Sequence, residues 1–128
     1  MVPAISGTSL IDLITDFEVR SGFDPAGGYG GLVPQHFDFG SLADYFSCKF
    51  DDSSLWTRLG GIWVLGCDCG EVGCWPLECK VSIDADRVHW TNFRQPHRPE
   101  RDYSTFGPFL FDAHPYQLAV ERLIRDLG

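Results

Sequence analysis

Four cysteines between residues 67 and 79 are the side chains of this sequence best suited to chemistry. They are Cys67, Cys69, Cys74 and Cys79, while a fifth cysteine, Cys48, stands apart. Thiolates on a tight loop that contains glycine can converge on one point, as a structural zinc ion requires. If a metal ion binds, we expect Cys67, Cys69 and Cys74 to be its ligands, with a histidine such as His89 or His97 as the fourth.

The spacing of these cysteines leaves three interpretations open. Zinc knuckles commonly use Cys-x-x-Cys pairs, whereas here a Cys-x-Cys pair is followed by four residues and a third cysteine. Cys79 lies on the same face of a predicted strand as Leu77 and Val81, which favours its burial in a core. Reduced structural thiols are therefore the first interpretation, with a zinc site or a thiol-redox centre as alternatives.

An excess of acidic residues is the second notable feature. The chain has 18 Asp and Glu against 10 Lys and Arg, a net charge of -8. Residues 1–55 alone hold eight acids and two bases, a net of -6. An acidic field speeds the encounter with a basic partner, and aromatic side chains anchor protein interfaces. The candidate partner-binding residues are Asp38, Asp44, Asp51, Asp52, Tyr45 and Phe37; alternatively, such rings form the core and the carboxylates only keep the protein soluble.

These features favour a protein that binds rather than catalyses, since no catalytic constellation is recognisable in the sequence. We expect an inhibitor of the immunity or antitoxin type, whose acidic surface masks the basic cleft of a partner such as a toxin or nuclease. The alternative is a small zinc-binding or thiol-redox protein centred on the loop from Cys67 to Cys74. The acidic pI of about 4.7 argues against nucleic acid as a partner, because phosphate contacts need clustered Lys and Arg.

Two loops give weaker signals. The run Gly27-Gly28-Tyr29-Gly30-Gly31 lacks the lysine and the strand-to-helix context of a phosphate-binding loop, which favours a flexible loop. The basic stretch 94–101 could contact an acidic ligand or a phosphate. A solvated loop opposite the acidic half is its simpler interpretation.

The elements that must position these side chains are clearest in the second half of the chain. Strands are predicted over 62–66, 77–83 and 88–93, with the cysteine loop 67–76 as the first connection. Leu77, Cys79, Val81 and Ile83 share one predicted face, and Val88, Trp90 and Asn92 share another. An apolar stripe at helical spacing follows, formed by Tyr116, Ala119, Val120, Leu123, Ile124 and Leu127.

Together these elements predict an α+β fold, in which an antiparallel β-meander sheet carries the C-terminal amphipathic helix on one face. Residues 1–128 are expected to form a single domain. Helix-like spacing over 10–17 and a short helix after Ser41 complete the pattern. No apolar run approaches the roughly 18 residues of a membrane span, and the N-terminus does not resemble a signal peptide. We therefore expect a cytoplasmic protein with reduced cysteines and no membrane partner.

Three motifs follow one another over about residues 55–126. They are the run from Ile62 to Cys74, which contains a Cys-Gly-acid-x-Gly-Cys turn, a Val-x-Trp-x-x-Phe strand at 88–93, and a Gly-Pro-Phe-x-Phe segment at 107–111 before the last helix. In this order they resemble a set of small bacterial proteins to which no activity is assigned. The resemblance shares Cys69 and Cys74, but many relatives carry an earlier cysteine where this chain has Gly66. It therefore supports the fold more than a function.

Overall fold

The computed structural model describes residues 1–34, 38–51 and 53–127. Its contacts divide the chain into two compact units. The first unit comprises Met1–Asp38, Trp63–Glu78 and Phe93–Phe106, and the second comprises Phe39–Ile62, Cys79–Asn92 and Gly107–Gly128. Each unit is thus assembled from three segments that are distant in sequence.

Five antiparallel strands form the main sheet, and they follow one another in chain order from β3 (Tyr29–Gly30) to β7 (Phe109–Asp112). The strands are β1 (Ala4–Ile5), β2 (Thr8–Ser9), β3 (Tyr29–Gly30), β4 (Ile62–Cys67), β5 (Leu77–Asp84), β6 (Arg87–Arg94) and β7 (Phe109–Asp112). β1 and β2 pair in a separate ribbon. The order confirms the predicted meander, and the C-terminal helix that follows it confirms the α+β class.

The alternation of buried and exposed side chains along β5 and β6 is broken at three positions. Glu78 is buried like its neighbours Leu77 and Cys79, and the other two breaks are at Ile83 and Asn92. Ile83 is 49% exposed, because it lies at the end of the hairpin where residues 82–87 are all exposed. Asn92 is exposed and adopts the left-handed conformation with φ of 54°, which asparagine tolerates better than most residues. Val88 and Trp90 are buried before it, and Phe93 after it. The period of two predicts that Asn92 shares the face of Val88 and Trp90. That prediction is wrong, because Asn92 is exposed.

Three of the four α-helices in the described ranges begin where a serine side chain caps them. The four are α1 (Leu10–Arg20), α2 (Leu42–Tyr45), α3 (Leu55–Leu59) and α4 (Ala113–Leu127). Ser9 Oγ accepts from the backbone N–H of Ile11 at 3.1 Å, and Ser41 and Ser54 cap α2 and α3 in the same way. Each cap satisfies a backbone donor that the first helical turn leaves without a partner.

The C-terminal helix α4 is attached through Tyr116. Its ring contacts those of Trp90 and Phe111, and its hydroxyl donates to the carbonyl oxygen of Phe46 at 2.6 Å. Every residue of α4, all of which the structure describes, is at least partly exposed. The predicted apolar stripe is therefore only partly covered, and Ile124 and Leu127 remain about two-fifths exposed. None of the helices in the described ranges has the length and apolar character that crossing a membrane requires.

Candidate metal centre

Three cysteine sulfurs converge in the first unit. The Sγ atoms of Cys67, Cys69 and Cys74 all lie within 4.8 Å of one another, the one such group of potential metal ligands among the residues that the structure describes. Cys69 and Cys74 are exposed and Cys67 is half-buried, whereas Cys79 is buried. All five cysteines are free thiols. The predicted ligand set is thus brought together, while Cys79 faces the core as its strand pattern indicates.

Glycines of the run 27–31 support the loop that carries the sulfurs. β3 pairs with the end of β4, so that Tyr29 lies opposite Cys67 and Gly30 opposite Gly66. A Cβ atom on Gly30 would lie 2.9 Å from the carbonyl oxygen of Cys67, so only glycine allows this close approach. The backbone N–H of Asp68 donates to the carbonyl of Gly28 at 3.0 Å. The glycine run is therefore a support for the cysteine loop.

Two tight turns then direct the sulfurs toward one another. Gly70 has a φ of 95°, and its N–H donates to the carbonyl of Cys67 at 3.1 Å. The N–H of Cys69 points at the Sγ of Cys67, 3.4 Å away. A short 3-10 helix, Val72–Cys74, brings the chain back, with the N–H of Cys74 donating to the carbonyl of Glu71 at 3.2 Å.

Neighbouring groups change the ionisation of two of these thiols, Cys67 and Cys69. The backbone N–H of Cys69 favours the thiolate of Cys67, but the neighbouring Cys69 side chain, burial and Cys74 outweigh it and raise the pKa of Cys67 to about 12. The backbone N–H of Glu71 and the thiol of Cys67 lower the pKa of Cys69. Of Cys67 and Cys69, Cys69 therefore forms its thiolate more readily.

Residues of the basic stretch 94–101 pack against the cysteine loop. His97 Nε2 lies 2.7 Å from the carbonyl oxygen of Gly73. Trp75 donates from Nε1 to the carbonyl of Gly27 at 3.0 Å, and the guanidinium of Arg98 lies 5.2 Å from the centre of its ring. The stretch is therefore ordered by contacts with the cysteine loop, and His97 contacts that loop at Gly73, the residue before Cys74. His89, the other predicted fourth ligand, belongs to β6 in the second unit.

A buried carboxylate holds the loops of this unit together, and the sequence analysis missed it. Glu18 is fully buried. Its carboxylate accepts hydrogen bonds from the N–H of Gly27 (2.8 Å), the hydroxyls of Tyr29 (2.8 Å) and Tyr103 (2.6 Å), and the guanidinium of Arg101 (3.2 Å). Glu18 follows Leu10 and Ile14 at intervals of four on the buried face of α1. That position was the available signal, since a carboxylate on an apolar face must have partners.

The predicted acidic contacts divide into exposed and buried residues. Asp38, Asp44 and Asp51 are exposed. Asp51 accepts from the N–H and the hydroxyl of Ser53 at 3.1 and 2.7 Å. Tyr45 is fully buried, and its ring lies 5.0 Å from that of Trp56. It is therefore a core residue of the second unit, not an exposed contact. Phe37 and Asp52 lie outside the described residues.

The geometry of the described residues indicates no catalytic arrangement. Glu18, which has two tyrosine hydroxyls at hydrogen-bonding distance, is fully buried and already has four donors. The cysteine cluster is the arrangement with clear chemical capacity, as a set of ligands for a thiophilic metal ion. No protein-family model, curated protein or solved structure gives a significant match to the chain.

Proposed function

We propose that the protein is a small metal-binding protein whose first unit binds a zinc ion through Cys67, Cys69 and Cys74. The observation that carries this proposal is the mutual approach of the three sulfurs to within 4.8 Å. Tetrahedral zinc with Zn–S bonds of about 2.3 Å holds its sulfurs roughly 3.8 Å apart. The longest separation therefore has to shorten by about 1 Å at most, which a loop with glycines at 70 and 73 accommodates.

The exposure of two of these cysteines favours a metal site over structural thiols. Cysteine that only fills a core is among the most buried residue types, as Cys79 is here. Cys69 and Cys74 are exposed instead, so their sulfurs contribute little to packing. Three thiolates in one loop are also a ligand set that zinc prefers to the harder divalent ions.

A zinc titration of the metal-free full-length protein tests this proposal. Competition with a chromophoric chelator should show one tightly bound zinc per chain, and binding should raise the midpoint of thermal unfolding, because the ion binds the folded state. Cys69→Ser should weaken binding strongly. Cys48→Ser is the matched control, since Cys48 belongs to the second unit, and it should bind zinc like the wild type. Absence of zinc binding, or equal binding by Cys69→Ser, contradicts the proposal.

A second proposal concerns the acidic residues. We infer that Asp44 and Asp51, which are exposed in the second unit, steer a basic protein partner such as a toxin or nuclease to the surface that carries them. Native mass spectrometry of protein taken from its own cells should then show a complex with a basic chain. With that chain purified, Asp44→Lys/Asp51→Lys should slow association and reduce its dependence on salt. Unchanged association kinetics in the double variant contradict this idea.

A further inference from the structure

The imidazole of His97 is held against the residue that precedes Cys74. Its Nε2 lies 2.7 Å from the carbonyl oxygen of Gly73. A carbonyl oxygen only accepts hydrogen bonds, so Nε2 must carry the hydrogen. In the neutral ring, Nδ1 then has a free lone pair, which is the form of histidine that binds a metal ion.

Histidines that bind a metal ion usually make a hydrogen bond of this kind with their other ring nitrogen. The ring nitrogen that does not bind the metal donates to a carboxylate or a backbone carbonyl, which fixes the tautomer and the orientation of the ring. The bond from His97 to Gly73 has this form, and the accepting carbonyl belongs to the cysteine loop itself. The structure therefore holds the histidine in the tautomer required for binding through Nδ1.

The main chain of His97 is fixed to the same strand pair that supports Cys67. Its N–H donates to Oε1 of the fully buried Gln95 at 3.1 Å, and Nε2 of Gln95 donates to the hydroxyl of Tyr29 at 3.3 Å. Tyr29 lies opposite Cys67 in the pairing of β3 with β4. His97 does not belong to the group of ligand atoms within 4.8 Å of one another, so its exposed ring has to move closer to the sulfurs when a metal ion binds, while the bond to Gln95 anchors its backbone.

We propose that His97 Nδ1 is the fourth ligand and completes a closed Cys3His zinc centre, which ties the loop 67–75 to the segment 95–101. This inference deepens the proposed function and rests on it. Four protein ligands leave no position for water or substrate, which is the mark of a structural zinc site rather than a catalytic one. The role of the ion is then to hold two loops of the first unit together.

Zinc K-edge X-ray absorption and zinc competition on the full-length protein test this assignment. The wild type should show three sulfurs at about 2.3 Å and one imidazole nitrogen at about 2.0 Å. His97→Ala should lose the imidazole signal. Its zinc affinity should fall by more than about 100-fold, which is the largest loss expected when only an orienting partner is removed. His114→Ala is the matched control, since His114 is an exposed histidine of the second unit, and it should leave both measurements unchanged.

The outcomes separate this inference from the proposed function. Zinc bound by the wild type with three sulfurs, and bound equally by His97→Ala, overturns the role of His97 and leaves the cysteine site standing. A loss of about 10- to 100-fold with the imidazole signal retained marks His97 as an orienting residue only, and it also overturns the assignment. A wild-type protein that binds no zinc overturns the proposed function itself, and this inference with it.

Discussion

Replacing Glu18 by glutamine removes one negative charge from the interior of the first unit while keeping the shape of the side chain. The Glu18 carboxylate is fully buried, and Arg101, which forms an ion pair with it at 3.2 Å, has a side chain that is only 5% exposed. Two tyrosine hydroxyls and the N–H of Gly27 donate to the same carboxylate. In Glu18→Gln the guanidinium stays buried without its counter-ion, and the amide nitrogen faces donors that it cannot accept from.

The size of the effect follows from burial. Breaking a buried ion pair by removing one partner costs about 3–5 kcal/mol, because the remaining charge has left water without compensation. A domain of this size is stable by only about 5–15 kcal/mol, so the variant should lose about a fifth of its stability or more. Asp16→Asn on the same helix is the matched control. Asp16 pairs with Arg20 at 2.9 Å with both side chains about two-thirds exposed, and such a pair contributes only about 0.3–0.5 kcal/mol.

Urea unfolding at pH 7, followed by tryptophan fluorescence, measures both variants. With a slope of about 1.5 kcal/mol per molar urea, the midpoint of Glu18→Gln should fall by about 2–3 M, while that of Asp16→Asn should hardly move. A difference between the two variants of less than about 1 kcal/mol in the free energy of unfolding would refute the reasoning. It would mean that Arg101 finds other partners, such as the carbonyl of Pro25, to which it donates at 2.8 Å.

Three further predictions concern single residues. In metal-free protein at pH 7, iodoacetamide should modify Cys69 before Cys67, since the pKa of Cys69 is lowered and that of Cys67 is raised to about 12; mass mapping that finds Cys67 modified first contradicts this. Burial raises the pKa of Tyr103 from 10 to about 12, so its contribution to stability is complete below the unfolded pKa and is lost as pH rises through that interval. Urea midpoints should therefore fall less steeply between those pH values in Tyr103→Phe, and an equal slope in both proteins argues against it. Gly60→Ala should cost about 1 kcal/mol, since Gly60 ends α3 with a φ of 79° and an added Cβ meets no atom within 4 Å. Gly73→Ala, whose Cβ meets only Trp63 at 3.8 Å, should leave the urea midpoint nearly unchanged, and a loss as large as that of Gly60→Ala would show that backbone conformation is not the cause.

Three strands of the sheet (β4, β5 and β6) and the helices α1, α2 and α4 could be predicted because their signals are local, whereas β3, β7 and α3 were not predicted. Alternation along 77–83 requires a strand of period two, and serines at positions 9 and 41 lie where helix caps are needed. The break at Asn92 could not be predicted in this way, since the same residue type occurs within regular strands and only its backbone conformation ends the alternation. The burial of Tyr45 was equally hidden, because aromatic residues suit a core and an interface alike.

The candidate site was only half visible, because its supports come from distant segments. Cys67, Cys69 and Cys74 lie within eight residues, so a turn alone can bring them together, and the sequence predicts it. Arg101 and Tyr103 lie 83 and 85 positions after Glu18, and no local pattern connects residues that far apart. The same limit left His89 and His97 equivalent in the sequence. The fold separates them, since His97 bonds to Gly73 within the first unit whereas His89 belongs to the second.

The convergence of the three sulfurs thus depends less on the spacing of the cysteines than on the support of the loop that carries them. The usual Cys-x-x-Cys pair forms a turn that positions two sulfurs without outside help, whereas the Cys-x-Cys pair here depends on β3 and on the approach of Gly30 to Cys67. β3 is held in turn by Tyr29, whose hydroxyl donates to Glu18. Because the carboxylate and the sulfurs are connected through this strand, Glu18→Gln should lower zinc affinity as well as stability, whereas Asp16→Asn should change neither. Equal zinc affinity in the folded Glu18→Gln protein would show that the cysteine loop holds its shape by its own turns.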